Sequence, residues 1–250
     1  MCNDEYYLSS PDVKITQKSC ESRLRLKSLI NSQARKLVMY TPAHFKEDRV
    51  AVLHQLIAHH PLGTMITMTA DGLNANHIPL LVDVNRGEFG TLRGHVARSN
   101  TVWQTFNPEV NALAVFQGPD AYISPSWYPS KKDSHKVVPT WNYAVVHAAG
   151  PLVIRDDEAW MREFLNSTTD HFEATRNLTA PRWKMNDAPE DFLQMMMRAV
   201  VGIEIPIVSL EGKWKVSQNR AIADRDGVAM ALQAGSRDAE TAMGKLVKPA

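Results

Sequence analysis

Residues Gly63 to Asp83 read GTMITMTADGLNANHIPLLVD. Thr64 to Thr69, rich in β-branched threonine and isoleucine, reads as one strand. Asp71-Gly72 is a two-residue turn signal, and Ile78 to Val84 supplies an apolar return. The stretch predicts a β-hairpin, and so antiparallel rather than parallel pairing.

The chain on either side keeps that character. Before the hairpin, Val50, Leu53, Leu56 and Ile57 recur at helical spacing within 47–60, and Pro61 and Gly63 end that helix. After it, GEFGTLRGHVA predicts a third strand. RSNTVWQTF follows as a short helix, with Ser99 or Asn100 as N-cap and Asn107-Pro108 as stop. EVNALAVFQG and AYISP read as two strands, and YAVVHAAGPLVI as one long strand kinked at Gly150-Pro151. Helices are expected over 156–176 and from Ala188-Pro189. A last strand pair is expected around Glu211-Gly212, and residues 224–250 are weakly specified apart from one helix. Many short strands with helices late and at the ends predict a mainly β fold. It is an antiparallel barrel with peripheral helices, and not a doubly wound sheet.

Bulk composition narrows the function. The 250 residues are 44% hydrophobic and 22% charged, an ordinary globular balance. Lys plus Arg total 28 and Asp plus Glu 27, so the formal charge of +1 gives no general pull toward DNA or an anionic membrane. Cys2 and Cys20 are the only cysteines, which excludes a disulfide framework and a cysteine zinc site. No run reads as a membrane span and the N-terminus is unlike a signal peptide, so a cytoplasmic location is expected. Residues 1–38 read as an N-terminal extension, poorly ordered or weakly helical, unless Met39 is the natural start. A core domain over 39–232 and a tail over 233–250 complete the expected organisation.

The chemistry-bearing stretches come next. His59-His60 cannot share one helix face and read as helix-end side chains, so no metal site is expected. No GxSxG elbow or phosphate-loop motif is present. GHVARSN, 94–100, runs a strand into a polar turn and a helix start. Arg98 with Ser99 and Asn100 makes a candidate phosphate site there, or else an ordinary cap beside a solvated arginine. SPSWYPSKKDSHKVVPTWNY, 124–143, holds two proline-stiffened aromatic boxes around a basic loop. Trp127, Tyr128, Trp141 and Tyr143 offer flat walls; Ser126, Thr140 and Asn142 offer edges; Lys131 offers a cation. That set suits a planar, phosphate-bearing ligand. Packing in the core and stacking on single-stranded nucleic acid are the competing readings. KWKVSQNR, 213–220, repeats the theme.

Taken together, MYTPAHF, GHVARSN, FQGPDAYISPSWYPSK, VPTWNY with AVVHAAG, and KWKVSQNR resemble the PaiB-type family of FMN-binding negative transcriptional regulators. The resemblance spans about 39–232. It implies an FMN-binding split β-barrel, a homodimer with FMN at the subunit interface, and DNA as a partner by family label alone. It further implies that Arg98, Ser99 and Asn100 hold the FMN phosphate, with His95 in the same motif. By the same resemblance His77, Ile78 and Pro79 line the isoalloxazine, and Thr140, Trp141 and Asn142 approach the ring or ribityl chain. Lys213 and Gln218 reach in from the C-terminal hairpin. An FMN-dependent oxidoreductase is the alternative activity. No catalytic acid or base is indicated. The extension before Met39 and the long loop PSKKDSHKVV depart from the family pattern.

Overall fold

The computed structural model describes residues 39–175 and 181–248. The chain divides into two units, Met1–Met39 and Tyr40–Ala250, and the second carries both sheets. The expected extension over 1–38 lies outside the described residues.

Among the described residues, ten strands form two antiparallel sheets. In chain order, β1 is Lys46–Glu47, β2 Leu62–Thr69, β3 Gly72–Pro79, β4 Leu81–Asp83, β5 Thr91–Ala97, β6 Ala112–Ile123, β7 Thr140–Gly150, β8 Val153–Arg155, β9 Val200–Pro206 and β10 Ser209–Lys215. One sheet has the order β1-β10-β7-β6-β2-β3, the other β4-β5-β9-β8. Helix α1 (Val50–His59) lies against both, with Leu53, Leu56 and Ile57 in the main core. That core joins Met65, Phe116 and Val146 of the larger sheet to Leu92, Ile203 and Ile205 of the smaller. The result is an open, split barrel of antiparallel strands with helices at its edges.

Several boundaries differ from the sequence reading. The hairpin turn sits at Ala70-Asp71, one residue before the expected Asp71-Gly72; Gly72, at φ 113°, already opens the return strand Gly72–Pro79, with Thr64 opposite His77. Leu81–Asp83 instead pairs with β5 in the other sheet. Pro79 and Leu80 mark the crossing, and an apolar run that spans both sheets hides it. The two expected strands EVNALAVFQG and AYISP are one strand, β6, with a register shift between Gln117 and Asp120. The expected final pair is no hairpin: β9 joins β5 and β8, while β10 joins β7 and β1, and the chain changes sheets at Ile207-Val208. Gly150 ends β7 where a Cβ would stand 1.9 Å from the Pro206 carbonyl oxygen, so only glycine permits this crossing of the two sheets.

The remaining helices are α2 (Val102–Thr105), α3 (Lys131–Ser134), α4 (Glu158–Thr175), α5 (Glu190–Arg198), α6 (Ile222–Gln233) and α7 (Asp238–Val247). Asp157 caps α4, accepting the Trp160 N–H at 2.7 Å. Helices α4 and α5 cover the smaller sheet. There Glu204, fully buried on β9, accepts from Arg86 (2.5 Å), Arg155 (2.8 Å) and the Trp160 indole (3.2 Å), with Arg93 at 3.5 Å. Burial opposes ionisation of this carboxyl, but the donors from Arg86, Arg155 and Trp160 outweigh it and hold the pKa at about 2. The C-terminal segment carries α6 and α7, not a single helix. Both pack on the far end of β6 through Val228, Leu232, Met243 and Val247 around Tyr128.

Candidate functional site

Strand alternation decides what each predicted residue faces. In β7, Asn142, Ala144, Val146 and Ala148 point inward, leaving Trp141, Tyr143, Val145 and His147 on the outer face of the larger sheet. Cα partners carry one row straight across that face: His77, Thr64, Val115, His147 and Glu211. Its rim exposes large apolar side chains, with Leu62 63%, Leu73 76% and Trp141 51% exposed. Burial pushes the His147 imidazole pKa down, against the pull of the Glu211 charge.

At one end of the sheet, the second aromatic box meets the C-terminal strand. Trp141 and Tyr122 are cross-strand partners with rings 6.1 Å apart, edge to face. The Lys215 ammonium donates to the Thr140 hydroxyl and, at 2.6 Å, to the Trp141 carbonyl. Its pKa is pushed down by burial, and the nearby charges of Lys213 and Arg220 act in the same direction. Asn142, 1% exposed, donates to the Ser217 hydroxyl at 2.9 Å, and Ser217 holds a left-handed φ of 64°. Gln218 closes the same turn, accepting the Val216 N–H at 2.7 Å and donating to the Trp214 carbonyl. Lys213 donates to the Tyr40 carbonyl at 2.9 Å and lies between the Tyr40 and Tyr143 rings. Thr140, Trp141, Asn142, Lys213 and Gln218 thus gather at one corner.

The GHVARSN turn is elsewhere. Asn100 donates to Asn76 at 2.7 Å, and its side-chain oxygen accepts the Val102 N–H at 3.0 Å. The N-cap of α2 is Thr101, not the expected Ser99 or Asn100; Asn100 braces the turn just before it, and Ser99 is exposed beside it. Arg98 is fully engaged. It grips Asp156 through two nitrogens, 2.6 and 3.0 Å, and also donates to the carbonyls of Arg198 and Val200. Next along β3, His77 stands on the outer face, Ile78 is buried in the core and Pro79 is exposed. His95 lies under α4, edge-on to Phe164 at 6.0 Å, and burial pushes its pKa down.

The two groups are apart in one chain. Asn76 faces Met65, which faces Ala114 and then Ala148, whereas Asn142 lies six residues farther along β7. At the rise of a strand that is roughly 20 Å along the sheet, before any sideways offset. Sequence reasoning read KWKVSQNR, Ser217 included, as a ligand contact or a solvated hairpin end, but gave Lys215 and Ser217 no specific role. The KWK alternation places Lys215 on the same face as Lys213, whereas the place of Ser217 depends on its left-handed backbone angle. Among the described residues no three His, Cys, Asp or Glu side chains gather as a metal site, and no helix is long and apolar enough to cross a membrane.

Comparison with known proteins accords with these motifs. Residues 39–209 match the family model described as "Putative FMN-binding domain". The Protease synthase and sporulation protein PAI 2 of Bacillus subtilis is 31% identical over 78% of this chain and 89% of its own length. An uncharacterized protein of Emericella nidulans is 29% identical over 84% of this chain and 96% of its own. One from Saccharomyces cerevisiae is 37% identical over 55% of this chain and 92% of its own. Among solved structures, the conserved hypothetical protein Rv2991 of Mycobacterium tuberculosis overlaps 73% of this chain and 94% of its own at a TM-score of 0.48 and 12% identity. By the family match over most of its length, and by its kinship with the Bacillus protein, the chain belongs to the PaiB-type family of FMN-binding domains.

Proposed function

We propose that the chain is a homodimer that binds FMN and uses it in electron transfer. The observation that carries the reading is the corner where Trp141 presents an exposed ring beside the Lys215 ammonium and the buried Asn142–Ser217 pair. A flat apolar wall with a cation at its edge, backed by a rigid buried amide pair, suits a planar anionic ring such as an isoalloxazine. Bound FMN supplies hydride or single-electron chemistry. The residues of this chain orient the ring, keep a positive charge at its edge and exclude water on the wall side.

The phosphate end fits less directly. Ser99 and the Asn100 turn are available, but the Arg98 fork is already filled by the Asp156 carboxylate. Phosphate can take Arg98 only if Asp156 yields it. The distance between the two groups supports the dimer reading. His77 and the Arg98–Asn100 turn lie too far from Trp141 to serve one flavin within a protomer. Pairing through the half-exposed outer face would bring one protomer's turn toward its partner's aromatic corner.

The test is the absorption spectrum of purified protein with FMN added. A red-edge shift of the flavin band at one FMN per protomer supports the proposal; a colourless protein that takes up no FMN overturns it. The second reading is negative transcriptional regulation, supported by the family resemblance and by kinship with a protein named for protease synthesis and sporulation. A formal charge of +1 offers no general attraction for DNA, so this reading needs a local contact. A site-specific footprint by the purified protein would carry it, and protection that vanishes at physiological salt would end it.

A further inference from the structure

We infer that the cleft beneath the 124–136 loop binds the phosphate of a planar, nucleotide-type co-substrate, with Trp127 at its ring; this rests on the flavin reading above. The cleft has a volume of about 460 Å³ and is lined by Ser126, Trp127, Tyr128, Lys131, Lys132 and His135. Among the described residues, no acid pairs with Lys131, Lys132 or His135. The local acids are Asp133, exposed on the same loop, and Asp224, which is spent on holding Ser130. In a chain of net charge +1, this is a local excess of cations beside an indole. Such a pairing serves a phosphate joined to an aromatic ring.

The loop is built rather than loose. Asp224 accepts the Ser130 N–H at 3.1 Å and its hydroxyl at 2.8 Å, tying the loop to α6. The Ser124 side chain accepts the Ser126 N–H at 3.2 Å and shares a hydrogen bond with the Ser126 hydroxyl at 2.7 Å. Gly227 on α6 packs so close that a Cβ there would stand 2.2 Å from the Trp127 carbonyl oxygen. Tyr128 is 2% exposed, with the Arg220 guanidinium over its ring at 4.9 Å and interacting with its hydroxyl, so the ring is fixed at the back of the cleft.

Position links the cleft to the ring wall. Ile123, the last residue of β6, pairs with Thr140, and the cleft opens within three residues of it. Thr140 in turn accepts from Lys215. The cleft therefore opens just past the strand end next to Thr140, with Trp127 as the indole that lines it beside Lys131 and Lys132.

The test titrates ADP and adenosine into purified protein at low salt by calorimetry, with and without FMN. ADP should bind at least tenfold tighter than adenosine. K131E/K132E, exposed on the loop, should weaken ADP at least tenfold while leaving FMN affinity and melting temperature unchanged. ADP no tighter than adenosine, or a double variant that binds ADP like the wild type, overturns the inference. Parallel loss of FMN in the double variant also overturns it, because the cleft then belongs to the flavin. A single-stranded oligonucleotide that outcompetes ADP through the same lysines overturns it in favour of a nucleic-acid surface. Because ADP is also titrated without FMN, failure of flavin binding is read separately.

Discussion

Arg98 and Asp156 meet fork to fork, with guanidinium nitrogens 2.6 and 3.0 Å from the two carboxylate oxygens. Hydrogen bonding from Arg98 holds the Asp156 carboxyl below its usual range. The pair joins the turn after β5 to the start of α4. It also occupies the geometry that a phosphate would take.

Removing the competitor should therefore favour phosphate. Both side chains are substantially exposed, so the pair is weak and the gain modest. D156N is expected to tighten FMN by about fivefold, the scale of an exposed ion pair, and to leave riboflavin unchanged. Flavin fluorescence titration reads both ligands. An unchanged FMN-to-riboflavin ratio would mean that Arg98 only braces α4.

Glu204 carries a pH dependence whose sign is set. Its folded pKa of about 2 lies below its ordinary 4.5, so its stabilising contribution is complete above about 4.5 and is lost as pH falls toward 2. E204Q leaves the arginines around this buried position, two of them half-exposed, without their charge partner and should cost about 2 kcal/mol at pH 7. Urea unfolding should show that deficit shrinking as pH drops from 5 to 2.5.

The outer sheet face can be tested by charge. Val115 sits mid-row between Thr64 and His147 and is half-buried in the single chain. V115K should leave the fold intact and shift the sedimenting species from dimer to monomer. On the proposed dimer, FMN affinity should fall with it, because the partner's contribution to the site would be lost.

Lys215 separates a ring-edge cation from a structural one. K215M keeps the aliphatic stem and removes the ammonium bound to Thr140 and Trp141. FMN should weaken by about tenfold, a charge-assisted hydrogen bond's worth, with little change in melting temperature. Loss of stability with unchanged FMN affinity would make the lysine a strut.

G150A tests the crossing of the sheets. The new Cβ would meet the Pro206 carbonyl oxygen at 1.9 Å, and backbone cannot swing aside as a side chain does. The cost should be about 3 kcal/mol, at the upper end of overpacking effects, read as a lower denaturation midpoint.

Parts of this architecture were legible in the residues. Alternation in TWNYAVVHAAG and the Asp71-Gly72 turn signal identified strands and antiparallel pairing, because side-chain period and turn chemistry are local properties. The helix over Val50–His59 was legible for the same reason. The sheet changes at Leu80 and at Ile207-Val208 were not. Both lie in apolar runs whose two ends serve different sheets around one core, and hydrophobicity does not say which sheet is served. The Glu211-Gly212 turn signal misled because that glycine is buried inside β10, admitting Leu53 of α1.

The candidate site divides the same way. GHVARSN, TWNY and KWKVSQNR stood out by residue type alone, since cations, amides and indoles grouped with proline are chemically conspicuous. Their arrangement depended on register and on long-range partners. Pairing of β7 with β10 brought Lys215 onto Thr140, strand alternation put His95 beneath α4, and an aspartate 58 residues away claimed Arg98. The sequence by itself determined strands, turns and the chemical inventory, because these follow from local periodicity and side-chain identity. Only the tertiary structure decided which cation is committed, which ring is exposed and which groups share a corner, because those are settled by contacts between residues far apart in the chain.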